Sequence, residues 1–303
     1  MRSNIRVDQA EGLRRLLVRN HTQVVTVVAG KPGVGRTSTT INLAAALARS
    51  GKEVLVLDEN HAPNNVLDHL GLYARYDLLD VVQEKCKPRE AVLNTKEFSV
   101  LSTARAMYSL AQLKQAEQQR LENALTEVSS GVDVMLVDAA MLVGKAEVSS
   151  SLASGVSLLV VVDATTSGIT DSYALIKRLA LENARFQFEI VLNKVADEPA
   201  AMMVFGNMAK VARLNLAARL EYLGYIPYDD KLKRATQLGR SVVEAFPTAT
   251  SAKSYLELSQ KLLRLPMQQN EAGGGVRTII QNLMSQVSQP LRQHSKKVAH
   301  VVN

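Results

Sequence analysis

Val24-Val25-Thr26-Val27-Val28-Ala29-Gly30-Lys31-Pro32-Gly33-Val34-Gly35-Arg36-Thr37-Ser38 is the stretch that decides the fold. A β-branched apolar run leads through a glycine-rich turn into an amphipathic stretch that continues to Ser50. Strand, turn and helix N-terminus in that order make a phosphate site. The glycines let the backbone approach an anion, and the free N–H groups and the helix dipole point at it. The spacing is that of G-x-x-x-x-G-K-[ST], with Arg36 standing where that pattern has lysine. A second base, Lys31, sits early in the loop. The predicted phosphate contacts are Gly33, Val34, Gly35, Arg36, Thr37 and Ser38. Two plainer readings stand beside this one: a glycine-rich turn with no ligand, and a binding loop lost through decay.

Outward from the loop, apolar strand-like runs alternate with helical stretches. The strands are expected at Val24–Ala29, Val54–Asp58, Phe98–Leu101, Val132–Asp138, Ser157–Asp163, Glu189–Asn193 and Tyr222–Ile226. Several are nearly continuous apolar runs, as in parallel strands buried on both faces. Helices are expected at Ser38–Ser50, Leu110–Ser129, Ser172–Glu182, Met202–Leu216 and Ala252–Leu263. The alternation predicts an α/β fold with a doubly wound, mostly parallel sheet; together with the loop spacing it resembles the P-loop NTPase type. Pro266 and Gly273-Gly274-Gly275 read as a linker. The expected organisation is a segment at 1–20, a domain at 21–265, a linker at 266–275 and a tail at 276–303.

The single cysteine, Cys86, excludes a disulfide framework and a multi-cysteine zinc site. No apolar run reaches the ~20 residues of a membrane-spanning helix, and no signal-peptide core follows Met1, so a cytoplasmic location is expected. The net charge of +7 is localised. Residues 1–20 carry five Arg and two acids, and residues 276–303 carry four bases and no acid. The stretch between is neutral. Basic ends suit partner docking or an anionic membrane surface, or are simply solvated; no specific nucleic acid is expected.

With its early lysine, the loop resembles the deviant P-loop of the MinD/ParA class, departing from it at Pro32 and Arg36. The resemblance implies ATP and Mg²⁺ as cofactors, with Thr37, Asp58 and Asp138 at the metal. Asp58 ends Val54-Leu55-Val56-Leu57, and Asp138 ends Val134-Met135-Leu136-Val137, both at the sheet edge where ligands bind. Lys31 would reach the phosphates of the partner in an ATP-dependent homodimer. Asn193 would read the adenine, although an Asn after a strand also forms turns. The class has an Asp two residues after the strand-ending Asp, orienting the attacking water. Here that position is Asn60, which can hydrogen-bond a water but is no carboxylate. After Asp138 the class has Pro, Ala or Gly, whereas Ala139-Ala140-Met141-Leu142 stand here. Arg36 keeps the charge, but its planar fork does not replace a compact ammonium. Lys31, Arg36 and Asn60 are therefore the candidate catalytic positions of an ATPase with slow or absent hydrolysis.

Asp8-Gln9-Ala10-Glu11-Gly12-Leu13-Arg14 matches D-Q-A-x-x-L-R, the N-terminal signature of the FlhG (FleN) family of MinD-like regulators of flagellar number and placement. Leu13, Leu16 and Leu17 form an apolar edge among arginines, a short docking helix. Thr170-Asp171-Ser172-Tyr173-Ala174-Leu175-Ile176-Lys177, Tyr222–Asp229 and Val242–Pro247 are similar to further stretches of that family. The resemblance implies that Asp8, Gln9, Leu13 and Arg14 engage an FlhF-like GTPase, with Gln9 entering its active site. Some members also restrain a flagellar transcription activator or contact C-ring proteins. It also implies a C-terminal membrane helix. Ile279, Ile280, Leu283 and Met284 recur on one helical face, so peripheral contact with an anionic membrane is expected; folding back onto the domain is the alternative.

Two other functions compete. One is a nucleotide-independent flagellar adaptor that keeps the fold. The other is a ParA-type DNA-partitioning ATPase using Lys231, Lys233, Arg234 and Arg240. A dinucleotide-dependent dehydrogenase is not expected, because the first turn lacks the G-x-G-x-x-G order and has the P-loop spacing instead.

Overall fold

The computed structural model describes residues 22–63, 65–140, 157–182, 187–216, 218–265 and 280. The docking segment at 1–20, the linker at 266–275 and the tail other than Ile280 lie outside the described residues. Eight strands form one sheet among the described residues. They are β1 (Gln23–Ala29), β2 (Val54–Asp58), β3 (Leu93–Asn94), β4 (Ser99–Ser102), β5 (Val134–Asp138), β6 (Ser157–Asp163), β7 (Gln187–Val195) and β8 (Arg219–Pro227). Their order is β3-β4-β2-β5-β1-β6-β7-β8. Every pairing is parallel except that of β3 with β4.

The apolar runs account for this sheet. In β2 the side chains alternate between faces, Val54 and Val56 packing on one side and Leu55 and Leu57 on the other. Both faces are covered, which is why these strands read as continuous apolar runs. Helix α1 (Arg36–Arg49) covers the first face together with the helix Thr250–Leu263. Helix α1 contributes Leu43, Ala44, Ala45, Ala46 and Leu47, all fully buried. The opposite face is covered by the helices Leu78–Val82 and Gln115–Val128 at one end, and by Thr166–Glu182 and Glu198–Leu216 at the other. Truncating one of the buried leucines, such as Leu55, would cost about 2–5 kcal/mol.

The differences from the expected elements have local causes. The predicted helix Leu110–Ser129 is a 3-10 turn at Leu110–Gln112 followed by a helix from Gln115. The Glu117 side chain accepts from the Lys114 backbone N–H, fixing a fresh start there. The predicted strand Val132–Asp138 begins only at Val134, because Val132 N–H turns back to the Ser129 carbonyl. The helix Thr166–Glu182 starts well before its expected start at Ser172, through a polar Thr-Ser-Gly-Ile-Thr segment that carries little apolar period.

Candidate functional site

The site lies where β1 sits between β5 and β6, at the carboxyl edge of the sheet. Gly33 and Gly35 take left-handed backbone conformations, with φ of 78° and 96°. Gly35 is the N-cap of α1, and no side chain caps that helix. Its first N–H groups are therefore available to an anion. The loop also runs tightly against its neighbours. A Cβ on Gly30 would stand 2.3 Å from the Asp171 backbone carbon, and one on Gly35 would stand 2.3 Å from the Asn193 Nδ2. The Asn193 amide donates to the Val34 carbonyl at 2.7 Å, so the end of β7 holds the loop from beneath.

Below the loop the two strand-ending aspartates meet. Asp58 and Asp138 are paired in register and both are fully buried. Asp138 accepts at Oδ1 from Arg36 Nε (2.9 Å) and Thr40 Oγ1 (3.1 Å). At Oδ2 it accepts from Thr37 Oγ1 (2.7 Å), Asn60 Nδ2 (2.9 Å) and, at the limit of contact, Arg36 Nη2 (3.5 Å). Asp58 accepts at Oδ1 from the Asn60 backbone N–H and Nδ2, both at 3.1 Å, and at Oδ2 from the Val66 N–H at 2.6 Å. Burial first, and the Asp138 charge second, push the Asp58 carboxyl up to about 7, against the hydrogen bonds from Asn60 and Val66.

Asn60 is the hub of this network. Its Nδ2 donates towards both carboxylates and the Asp138 carbonyl, while its Oδ1 accepts from Arg36 Nη2 at 2.6 Å. A carboxylate at this position could not donate, so the two departures from the class pattern, Arg36 and Asn60, fit each other.

The expected metal residues Thr37, Asp58 and Asp138 are thus brought together. The donor set, however, does not fit a divalent ion held by Asp138. Both of its oxygens are filled, one of them by a cation of the chain itself. Lys31 Nζ donates to Ser167 Oγ at the start of the Thr166–Glu182 helix. Lys194 joins the site without a motif to mark it. Its Nζ lies 2.8 Å from the Gly33 carbonyl and 3.3 Å from Asp163 Oδ2, adding a cation over the loop. Its backbone takes a φ of 58°, and no sequence pattern announces a positive φ at a lysine. Glu59 is a second addition that sequence reasoning misses: it is almost fully buried and accepts from the Ala140 N–H.

Of the four bases offered for DNA, Arg240 is paired with Glu244 and Arg234 lies over the Phe246 ring. Ile280 is 5% exposed and packs in the cluster of Leu57, Leu78, Leu121 and Met135. Ile279, Leu283, Met284 and the four docking residues Asp8, Gln9, Leu13 and Arg14 lie outside the described residues. No helix among the described residues is long and apolar enough to cross a membrane.

A family model of the CobQ/CobB/MinD/ParA nucleotide binding domain matches residues 25–242. The chain belongs to that family. Its match runs from β1 through the strand-ending aspartates to β8, the part that builds the site. The chain is 34% identical to the antiactivator FleN of Pseudomonas aeruginosa over 252 residues, 83% of this chain and 90% of that protein. It is 26% identical to the septum site-determining protein MinD of Helicobacter pylori, over 79% of this chain and 90% of that one. Its fold is that of MinD of Pyrococcus horikoshii, solved with Mg-ADP, with a TM-score of 0.60 at 21% identity over 80% of this chain and 97% of that chain.

Proposed function

We propose that this chain is an ATP-binding regulator of flagellar number and placement, working as a dimeric switch with slow turnover. The observation that carries the reading is the loop itself. Its left-handed glycines, uncapped helix N-terminus and bracing by Asn193 leave a formed anion site in a chain similar to FleN along most of its length. Lys31 and Lys194 supply charge for phosphates. An adenine contact at Asn193 rests on the family resemblance and would need its amide to leave the Val34 carbonyl, and the position of Lys31 early in the loop supports a contact with the other subunit's nucleotide. Residues 1–20 would stimulate an FlhF-like GTPase, with Gln9 as the group that acts there, and a flagellar transcription activator or C-ring proteins are further partners. The protein would be cytoplasmic, with its tail touching the inner face of the membrane.

Slow turnover follows from Arg36 and Asn60. Phosphoryl transfer depends on positioned charge and an oriented nucleophile. Here both groups are engaged with the aspartates. The same closed network favours a second reading, an adaptor of the same fold that binds no nucleotide. Calorimetric titration with ATP separates the two, with ATP-dependent dimerisation followed by light scattering. Binding with dimerisation supports the switch; no binding leaves the adaptor.

A further inference from the structure

We propose that Arg36 is a built-in cation standing in for a divalent ion, so that this chain binds ATP without needing Mg²⁺. The inference rests on reading the loop as a nucleotide site, and it concerns how that site handles charge.

The geometry of Asp138 is the starting point. A carboxylate has about four good acceptor positions. Arg36 Nε, Thr40 Oγ1, Thr37 Oγ1 and Asn60 Nδ2 fill them at 2.9, 3.1, 2.7 and 2.9 Å. The carboxylate is fully buried, and the arginine side chain is only 11% exposed. An ion entering on Asp138 must first displace the guanidinium. That leaves a buried pair broken, which is costly unless the newcomer restores every contact. Mg²⁺ is poorly suited to the exchange, because it demands octahedral geometry and parts with its waters reluctantly.

The second observation is Asn60. An acid there would gather three carboxylates at Asp58, Asp138 and position 60, a concentration of charge that calls for a cation. The amide removes that demand and donates to the two carboxylates that remain. Arginine at 36 adds a positive charge and asparagine at 60 takes a negative one away, and both changes lower the site's need for a metal. The third observation is on the ligand side. Among the described residues Arg36 Nη1 has no partner, and Lys194 Nζ stands over the loop at Gly33. Lys194 Nζ is also paired with Asp163 at 3.3 Å, and as ATP enters it and Arg36 Nη1 would turn to the phosphate oxygens that Mg²⁺ would otherwise screen.

The test is titration of the full-length protein with ATP in buffer containing MgCl₂ and in buffer containing EDTA. The expected result is a Kd in EDTA within about threefold of that in MgCl₂. In the double variant Arg36→Lys with Asn60→Asp, Mg²⁺ should tighten ATP at least about tenfold. Binding by the natural protein that needs Mg²⁺, with a loss of about tenfold or more in EDTA, overturns the inference and leaves the nucleotide reading standing. Absence of binding in both buffers overturns the two together. The comparison on the natural protein needs no variant, so a misfolded double variant does not remove the test. An independent readout is the melting temperature without nucleotide. MgCl₂ should leave it unchanged in the natural protein and raise it in Asn60→Asp; a rise in the natural protein counts against the inference.

Discussion

Asp58 and Asp138 stand opposite one another at the carboxyl ends of the adjacent strands β2 and β5, both with no solvent exposure. Their proximity gives stability a pH dependence with a definite sign. The Asp58 carboxyl is held near pKa 7 in the fold, against an ordinary 3.8. Between about pH 4 and pH 7 the folded chain keeps a proton that the unfolded chain has released, so stability falls as pH rises through that window. Below the window the contribution is fully present, and above it the contribution is gone. A tenfold difference in proton affinity between the two states is worth about 1.4 kcal/mol, so the whole change is on the order of a few kcal/mol. Denaturant titrations across the window should show the decline, and Asp58→Asn should flatten it. An identical slope in the variant would show that another group is responsible.

Asn60→Asp should destabilise the nucleotide-free protein by about 1–3 kcal/mol, since it replaces a donor to two buried carboxylates with a third carboxylate. Paired with Arg36→Lys it should raise ATP turnover. The two sites share hydrogen bonds, so the double variant should exceed what the single variants add up to. Simple additivity in a phosphate-release assay would mean the pair is not coupled. Natural turnover matching intact MinD-type ATPases would refute the impairment itself.

Three glycines of the loop should give a graded series. Gly33→Ala meets open space and suffers only from its φ of 78°, about 1–2 kcal/mol. Gly35→Ala adds a collision with Asn193 and should abolish ATP binding. Gly30→Ala collides with backbone at Asp171 and Ser172, which cannot rotate aside, and should cost about 3 kcal/mol or more. Thermal melts and ATP titration rank them; equal effects at Gly33 and Gly30 would contradict the close packing.

A peptide of residues 1–20 should accelerate GTP hydrolysis by an FlhF-like GTPase. Gln9→Ala should lower the stimulated rate more than the affinity, and Leu13→Ala the affinity more than the rate. Full stimulation by protein lacking these residues would remove the role.

Ile280→Asp should lower the melting temperature, because Ile280 is buried beside Leu57 and Leu121. Losing a buried side chain of that size costs about 2–5 kcal/mol. If the tail is also the membrane anchor, the same change should reduce ATP-favoured sedimentation with anionic liposomes. An unchanged melting temperature would mean the side chain is not held by the domain.

Strands buried on both faces are readable from composition alone: β6 spans Ser157–Asp163, as its unbroken Leu-Val run implies, and β2 spans Val54–Asp58. Short helices such as Val66–His69 and Val242–Ala245 have too few residues to show a period, so the sequence does not announce them. They exist because side chains cap them, Asn65 Oδ1 accepting from the Asp68 N–H and Ser241 Oγ from the Glu244 N–H. At the site, Asp58 and Asp138 are identifiable because each ends an apolar strand. The link between Arg36 and Asn60 is not. They lie apart in sequence and meet only because α1 starts above the ends of β2 and β5.

The place of β1 in the sheet sets a schedule for synthesis. The strand that carries the loop is made first among those described, yet its two neighbours are Val134–Asp138 and Ser157–Asp163. At a ribosomal pace of roughly 5–20 residues per second, about 100 residues must follow before either arrives, a wait of roughly 5–20 s. Through that interval an apolar strand remains without edges to join. Newly made chains should therefore depend on chaperone shelter early, and a ribosome stalled before β5 should release a product that aggregates rather than one that binds nucleotide.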